Sequence, residues 1–534
     1  MWPQTYTPVS GSLAFSTLVA ALPIFTLLIL LAVLKRPAWL ASLAGLAAAL
    51  GIAIFVYRMP LNLAISSAAY GASYGLLPIG WIVFTAILLY RLTIETGKFE
   101  IIKDSIGSLT GDRRLQALLI AFAFGAFIEG AAGFGTPVAV AAAMLTGLGF
   151  SPFYAAALCL LANTSPVAFG SIGTPLVALQ GVTQLPMTSL ASDVGRLCAP
   201  VSLFVPSYLI LVMGGVKALR AVFPAAALCG VVFAAGQFFT SNFSGSYLLT
   251  DIIASLAAIA ALVGLLKIWK PRDAEAATPH RHTGGSVMLA WTPYACLVVL
   301  VLAWGQADVK AMLNHATWVI NWPGLHNLVL RMPPIARAAA KYPAPYTLNL
   351  LSASGTACLF AVFVSAAILR VSPRALAKCT WTTARQLALS ELTIAAVVGL
   401  AYVMNYSGAT ATLGLAFAAT GVVFPFFSSL LGWLGVFLTG SDTASNALFG
   451  TLQSVTAGRL GLNASLMAAA NSTGGVMGKM ISLQSIAVAG AATGMAASEE
   501  GKLFRFTLKH SLFMAAVVGA MTLFYAYVMP GWVK

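Results

Sequence analysis

The sequence predicts an all-α polytopic membrane protein with about 12 transmembrane helices and two re-entrant hairpins in two inverted repeats. Of its 534 residues, 60% are hydrophobic and only 8% are charged, and the mean hydropathy is +0.91. Apolar runs near the roughly 20 residues that a spanning helix requires recur along the chain. Some of these runs are interrupted by glycine, proline and acidic residues, at corresponding places in the two halves.

The apolar runs and the loops between them predict how the chain crosses the membrane. The runs cover 13–34, 38–57, 76–90, 202–213, 221–239, 247–266, 287–304, 346–369, 387–404 and 508–528. With both termini extracytoplasmic, most of the 29 Lys and Arg residues fall on the cytoplasmic side, as the positive-inside rule requires. Loop 268–286 is then cytoplasmic and loop 305–345 extracytoplasmic. This arrangement explains the net charge of +15 without a nucleic-acid partner.

Two halves of the chain resemble each other. "FIEGAAGFGTP" (127–137) aligns with "FLTGSDTASNA" (437–447), and "ANTSPVAFGSIGTPL" (162–176) with "ANSTGGVMGKMISLQ" (470–484). Matching loops carry opposite charge patterns, which predicts that the copies are inverted in the membrane. The predicted organisation is an N-terminal helix (1–37), repeat A (38–216) with a hairpin at 115–148, connecting helices (217–345), and repeat B (346–534) with a hairpin at 431–460.

The interruptions contain the charged candidate residues. Glu129 and Asp442 lie inside apolar segments, where an acid is costly and is a functional candidate by default. Because burial favours the protonated form of a carboxyl group, both are candidate proton-coupling residues. The alternative is a structural carboxyl bonded to exposed backbone at a hairpin tip. Two roles are predicted for Lys479: it binds a substrate carboxylate, or it pairs with a hairpin acid. A third acid, Glu391, is expected to be a partner of its helix N-terminus.

The candidate substrate-binding residues are small or polar and lie at the hairpin tips and in the polar breaks that follow. Small side chains let a ligand approach the backbone, broken helices offer N-termini to an anion, and hydroxyl and amide groups donate hydrogen bonds. For the polar residues the alternative role is contact between helices. The set is Gly130, Ala131, Gly133, Phe134, Gly135, Thr136, Asn163, Thr164, Ser165, Thr439, Gly440, Ser441, Thr443, Ser445, Asn446, Asn471, Ser472, Thr473 and Lys479.

Cysteine and histidine residues form no recognisable catalytic or metal-binding motif. The six cysteines are scattered without a CxxC pair, and the five histidines complete no metal-ligand or nucleophile grouping. The sequence therefore predicts a protein that is not an enzyme and has no catalytic residue, metal or cofactor.

Five segments resemble the bacterial lactate permease family: "GAFIEGAAGFGTPVAVAAAML" (125–145), "ANTSPVAFGSIGTP" (162–175), "GWLGVFLTGSDTASNALFG" (432–450), "NSTGGVMGKMISLQSIA" (471–487) and "FRFTLKHS" (504–511). The resemblance extends over nearly the whole chain. It implies an inner-membrane secondary transporter that takes up L-lactate, and often D-lactate and glycolate, with protons. The implied partners are a small 2-hydroxymonocarboxylate, protons and the lipid bilayer.

Other functions stay open at this point. One alternative is a transporter of the same architecture that moves another organic anion or a dicarboxylate, or that couples transport to Na⁺. Two intramembrane acids and one Lys suit a singly charged anion and a proton better. A second alternative is a passive channel, which differs from a transporter in that it does not accumulate its substrate. A third is a membrane-embedded enzyme, which requires a catalytic cluster that the sequence does not show.

Overall fold

The computed structural model describes residues 1–34, 36–133, 135–243, 245–271 and 282–533. Within these ranges, ten helices are long and apolar enough to cross a membrane, or up to 12 if each of two bent helix pairs is one span. The predicted all-α polytopic membrane fold is confirmed. The inverted repeat stays a prediction.

The helices, in chain order, are α1 Leu13–Ala32, α2 Ala38–Phe55, α3 Leu61–Tyr74, α4 Trp81–Glu95, α5 Lys98–Gly107, α6 Arg113–Gln116, α7 Gly125–Ala131, α8 Thr136–Gly147, α9 Pro152–Ala162, α10 Gly170–Thr183, α11 Met187–Asn242, α12 Thr250–Ile268, α13 Gly284–Gly305, α14 Ala307–Leu313, α15 Ser354–Ile368, α16 Pro373–Ser407, α17 Ala409–Phe417, α18 Phe424–Thr439, α19 Asp442–Leu460, α20 Ala464–Gly478, α21 Leu483–Thr493 and α22 Ala497–Tyr527. A π-helical segment, Ala117–Phe124, joins α6 to α7. The longest helix, α11, is kinked at Gly214 and Gly215, which lie between two of the predicted apolar runs.

A small β-structure lies at one end of the helical bundle. The strands are β1 Trp2–Pro3, β2 Thr317–Asn321, β3 Val329–Arg331, β4 Ala340–Tyr342 and β5 Pro345–Asn349. β3 pairs with β1 in parallel and with β4 antiparallel, and β2 pairs antiparallel with β5. The sequence predicted only a loop at 305–345. The short helix α14 precedes the prolines of this segment, which begin at Pro323. Beyond that point the prolines disfavour a regular helix, and the β-branched and aromatic residues favour short strands.

The first predicted hairpin folds back on itself. The helix that begins at α6 ends at Ala131, and Gly133 (φ 63°) and Gly135 (φ 80°) turn the chain before α8 begins. A left-handed φ of this kind is open to glycine at little cost, which explains the two glycines at the turn. The Arg113 guanidinium lies 5.7 Å from the ring centre of Phe150, so the two ends of the segment lie together.

The second hairpin consists of α18 and α19, which meet at Gly440 (φ 71°). The Ser428 hydroxyl donates to Gln453 Oε1 at 2.7 Å, and the Ser445 hydroxyl donates to the Gly432 carbonyl at 3.1 Å. These two contacts show that α18 and α19 run antiparallel. Upstream, α17 and α18 are separated by a kink at Gly421.

Each hairpin is followed by a bent helix pair. The segment Val167–Thr183, which contains α10, makes an angle of 63° with α9, and α21 makes an angle of 43° with Ala464–Ile481. At the start of α10, Ser171 and Ile172 have left-handed backbone angles (φ 47° and 55°). Such angles are costly for residues other than glycine, and they occur often at functional sites.

The expected helix-end role of Glu391 is wrong. The apolar run around it begins at residue 387, but α16 begins at Pro373, because the preceding polar residues continue the same helix. Glu391 therefore lies in the middle of α16, where its carboxylate packs directly against Gly80 and leaves no room for a side chain there. Its Oε1 is buried without a hydrogen-bond partner in the described part of the chain.

Candidate functional site

The two hairpin tips and the two polar breaks meet around one small cavity of about 50 Å³. Its lining includes seven of the predicted site residues, together with five that were not predicted. The predicted ones are Glu129, Gly133, Gly440, Ser441, Asp442, Thr443 and Lys479, and the others are Val167, Gly170, Ser171, Pro175 and Gln484. Residues more than 300 positions apart in the chain thus form one site, called here the central cavity.

Several helices begin at the central cavity. α10 and α19 start there at Gly170 and Asp442, and α21 starts one residue before Gln484. The Ser441 hydroxyl caps α19 by accepting a hydrogen bond from the Ala444 amide at 3.2 Å. Because a helix N-terminus carries unpaired N–H groups and a partial positive charge, this convergence favours a bound anion.

Among the described residues that line the central cavity, Lys479 is the only basic one. Its side chain is 7% exposed, and its Nζ donates to the Gly440 carbonyl at 2.7 Å. No ion pair between Lys479 and a carboxylate is present within the described ranges. The ammonium group has three donors, so this contact leaves two for a ligand.

Asp442 is held by one of its two carboxylate oxygens. Its Oδ2 accepts hydrogen bonds from the Ser472 hydroxyl at 2.6 Å and from Asn446 Nδ2 at 3.3 Å. Its Oδ1 is buried and has no hydrogen-bond partner among the residues that the structure describes. One oxygen therefore fixes the orientation of the carboxyl group, and the other is available to a proton or a ligand.

Glu129 lies in the last turns of the first half-hairpin and is 3% exposed. Its carboxyl group packs against Gly170, where an added Cβ would lie 2.7 Å from Oε1. Its Oε2 has no hydrogen-bond partner within the described ranges, and Asn163 lies beside it. The Ser171 hydroxyl donates to the Ala132 carbonyl at 3.2 Å, which satisfies one of the backbone groups that the broken helix exposes.

Behind the cavity, buried amide and hydroxyl groups form a continuous network. Asn446 Nδ2 donates to the Pro175 carbonyl and to the Ser472 hydroxyl, both at 3.1 Å. Asn471 Nδ2 donates to Asn446 Oδ1 at 3.0 Å, and Gln453 Nε2 donates to Asn471 Oδ1 at 3.0 Å. Asn446, Asn471 and Ser472 are not in the described lining of the central cavity. These bonds connect helices, as their alternative role requires, and their role in substrate binding stays a prediction.

The other predicted site residues lie around the cavity without lining it. Thr164 donates to the Leu161 carbonyl and Thr439 to the Gly435 carbonyl. Ser445 donates to Gly432, and Thr473 contacts Cys198. Gly130 packs against Asp251 and Ile252, and Gly135 faces Val488. Ala131, Asn163 and Ser165 are buried, and Thr136 begins α8. Phe134 lies outside the described residues.

Asp251 is a buried acid that was not among the residues predicted from the sequence. It is fully buried in the first turn of α12, and an added Cβ at Gly130 would lie 3.0 Å from its Cβ, so it packs against the residue that follows Glu129. Gln237 connects it to the polar break, since Nε2 donates to the Ser165 carbonyl at 3.0 Å and lies 3.5 Å from Asp251 Oδ1. The signal was an acid inside the apolar run 247–266, but close to its start, where an acid is also typical of an exposed helix end.

No group of three or more metal-ligating side chains occurs in the part of the chain that the structure describes. The central cavity thus combines one ammonium group, two carboxyl groups, hydroxyl groups and helix N-termini. This set is suited to binding a small anion and a proton.

Comparison with known proteins agrees with the resemblance noted in the sequence. A family model described as L-lactate permease matches residues 16–529. An L-lactate permease of Bacillus subtilis (strain 168) is 46% identical, covering 98% of each chain. A glycolate permease GlcA and an L-lactate permease, both of Escherichia coli (strain K12), are 45% and 43% identical, covering 99% of each chain. A solved structure of the Alcanivorax borkumensis YdaH transporter aligns at 15% identity with a TM-score of 0.46, covering 88% of each chain.

The match covers nearly the whole chain, and the relatives are similar over their full length. The expected family is confirmed: this chain belongs to the L-lactate permease family.

Proposed function

We propose that this protein is a secondary active transporter that takes up L-lactate, and also D-lactate and glycolate, by proton symport across the bacterial inner membrane. The observation that carries the proposal is the meeting of Lys479, Glu129 and Asp442 around one cavity. The names of the full-length relatives, L-lactate permease and glycolate permease, support the substrate class.

The cavity contains the groups that a 2-hydroxymonocarboxylate requires. A carboxylate that leaves water loses several kcal/mol of solvation unless a positive partner or N–H donors replace its hydration shell. Lys479 supplies the positive charge, and the first turn of α19 supplies N–H donors. The hydroxyl groups of Ser441 and Thr443 line the same space and are suited to the substrate 2-hydroxyl.

The two acids provide sites for the coupled proton. Each has one carboxylate oxygen without a partner among the described residues, so each has an atom that can hold a proton. A buried charge is costly, which makes protonation of one acid favourable when the substrate anion enters. Binding of one anion together with one proton adds no net charge to the site.

We also propose that the two hairpins belong to inverted repeats. Both halves have the same order of a hairpin and then a bent helix pair. Asp104, which lies just before the first hairpin, contacts His282 at the start of α13, at 3.0 Å. Arg459, at the base of the second hairpin, donates to the Pro334 carbonyl beyond the other end of α13, at 3.4 Å. These contacts at opposite ends of one spanning helix support opposite orientations of the hairpins.

The orientation of the protein in the membrane follows from the loop charges, and we propose that residues 305–345 are extracytoplasmic. The pairing of β1 with β3 supports an N-terminus on the same side as this segment.

Uptake of labelled L-lactate into proteoliposomes tests the proposal. We expect accumulation when the lumen is alkaline, loss of accumulation when a protonophore is added, and competition by unlabelled D-lactate and glycolate. Empty liposomes are the control. Accumulation that depends on a Na⁺ gradient, preference for a dicarboxylate, or equilibration without accumulation would each contradict the assignment.

A further inference from the structure

A second cavity, of about 670 Å³, lies beneath the 305–345 segment. It is called the vestibule here, and its lining includes Arg331, Arg337 and Arg459 together with Tyr342, Tyr402 and Tyr406. Nothing in the proposed transport chemistry of the central cavity uses these residues.

The charge of the vestibule has one sign. Three arginines line it, and no Asp or Glu is present among the described lining residues. None of these arginines forms an ion pair with a carboxylate within the described ranges. Arg331 stacks on Tyr342, with Cζ 4.7 Å from the ring centre, and its Nε is buried without a hydrogen-bond partner among the described residues. Such a surface attracts anions.

Three of the four tyrosines in the described lining of the vestibule use their hydroxyl groups in bonds to the protein. Tyr70 donates to the Pro345 carbonyl at 2.8 Å, and Tyr406 donates to the Pro343 carbonyl at 2.7 Å. Tyr402 donates to the Gly181 carbonyl at 2.6 Å. These bonds shape the wall, and the guanidinium groups are the cationic donors of its described lining, although that of Arg459 also donates to the Pro334 carbonyl at 3.4 Å. A guanidinium group binds a carboxylate through two parallel hydrogen bonds.

Two helices connect the vestibule to the central cavity. α10 and α19 pack in parallel, because Asn446 donates to the Pro175 carbonyl and Thr451 donates to the Val182 carbonyl. Pro175 lines the central cavity, whereas Val182 and Thr451 line the vestibule. Seven residues of helix separate the two levels, which corresponds to roughly 10 Å.

We propose that the vestibule is a second, weaker anion site, which captures small monocarboxylates from the extracytoplasmic side and concentrates them above the central cavity. This inference rests on the proposed function and orientation. Its test must therefore distinguish a failure of the vestibule proposal from a failure of the proposed function. Charged walls around a cleft raise the local concentration of an oppositely charged ligand, and salt screens the effect.

The test compares uptake of labelled L-lactate by intact cells that express the wild type or the double variant Arg337→Gln/Arg459→Gln. Both residues are exposed, so these substitutions leave the core intact. At low ionic strength we expect the KM to rise about three- to tenfold while the maximal rate is unchanged. At high ionic strength we expect the difference to fall below about twofold. Adding Arg331→Gln is expected to enlarge the effect.

The matched control is Lys341→Gln, which removes a charge from the same segment outside the vestibule lining and is expected to leave the KM unchanged. A wild-type KM in the double and triple variants at low ionic strength would overturn the proposal, as would an equal rise in the Lys341 variant. If the wild type takes up no lactate, the proposed function fails. Ligand-observed NMR of lactate with the purified proteins then decides: a weaker signal in the triple variant supports the anion site, and an equal signal refutes it.

Discussion

The ammonium group of Lys479 donates a hydrogen bond to the carbonyl oxygen of Gly440 at 2.7 Å. Gly440 is the left-handed residue that ends α18 at the tip of the second hairpin, where carbonyl groups lack helical partners. The bond therefore ties the cation of one polar break to the backbone of a broken helix. It also holds the remaining ammonium donors at the central cavity.

Replacement of Lys479 by Ala is expected to weaken lactate binding. Loss of a charge-assisted contact costs about 1.5–3 kcal/mol, or roughly 10- to 150-fold in affinity. Calorimetry in detergent at high ionic strength measures this separately from turnover. Arg331→Ala and Arg337→Ala are the comparison variants and are expected to change the affinity much less. Wild-type affinity in the Lys479 variant would transfer the anion-binding role to the helix N-termini.

Glu129→Gln is expected to abolish accumulation driven by a pH gradient, because a glutamine side chain cannot take up and release the coupled proton. Exchange of labelled for unlabelled lactate across the membrane is expected to persist, since it requires no net proton movement. The two assays use the same proteoliposomes. Glu100→Gln, on the exposed face of α5, is the matched control. Full pH-driven accumulation by the Glu129 variant would exclude this residue as the proton site.

Asp442→Asn is expected to reduce transport severely at normal expression. The substitution replaces the carboxyl group by an amide. The carboxyl group now has an unpartnered oxygen, Oδ1, and a second oxygen, Oδ2, that accepts hydrogen bonds from Ser472 and Asn446. Ser472→Ala removes only the 2.6 Å donor, and we expect it to lower the rate by a smaller factor. The initial rate of uptake measures both variants. A near-normal rate in Asp442→Asn would give this carboxyl a structural role only.

Asp251→Asn tests the acid that packs against Gly130, next to Glu129. Because Asp251 and Glu129 are close and both are buried, removal of one acid changes the cost of ionising the other. We expect the pH dependence of lactate uptake to shift while the protein still folds, as checked by size-exclusion chromatography. Asp308→Asn, on an exposed helix start, is the control. An unchanged pH profile in Asp251→Asn would show that the two acids act independently.

Gly432→Ala tests the close contact between α18 and α20. An added Cβ at this position would overlap the carbonyl oxygen of Asn471, and backbone of this kind cannot move aside easily. Overpacking costs about 1–3 kcal/mol, so a clear fall in the thermal unfolding temperature in detergent is expected. Gly51→Ala adds a methyl group where no atom lies within 4 Å and is expected to be neutral. Equal unfolding temperatures for both variants would contradict this packing.

Glu391 and Asp251 show why the sequence alone predicted some acids correctly and misplaced others. Glu129, Asp442 and Lys479 stand out because each lies in an apolar run next to glycine residues. Asp251 lies at a helix start, and Glu391 follows a polar stretch that continues the same helix. Local pattern cannot distinguish a solvated helix end from a buried one, because burial depends on which other helix packs there.

The sequence by itself determined the polytopic helical membrane class, the family, the two broken segments, and Glu129, Asp442 and Lys479 as charged candidates, because hydropathy and glycine or proline breaks are local properties of the chain. Only the tertiary structure decided that both tips share one cavity, that Asn446 and Asn471 act behind it, that Asp251 stands beside Glu129, and that three arginines line a separate vestibule. These relationships depend on contacts between helices far apart in the chain, and such contacts are set by side-chain packing and backbone hydrogen bonding in the folded protein.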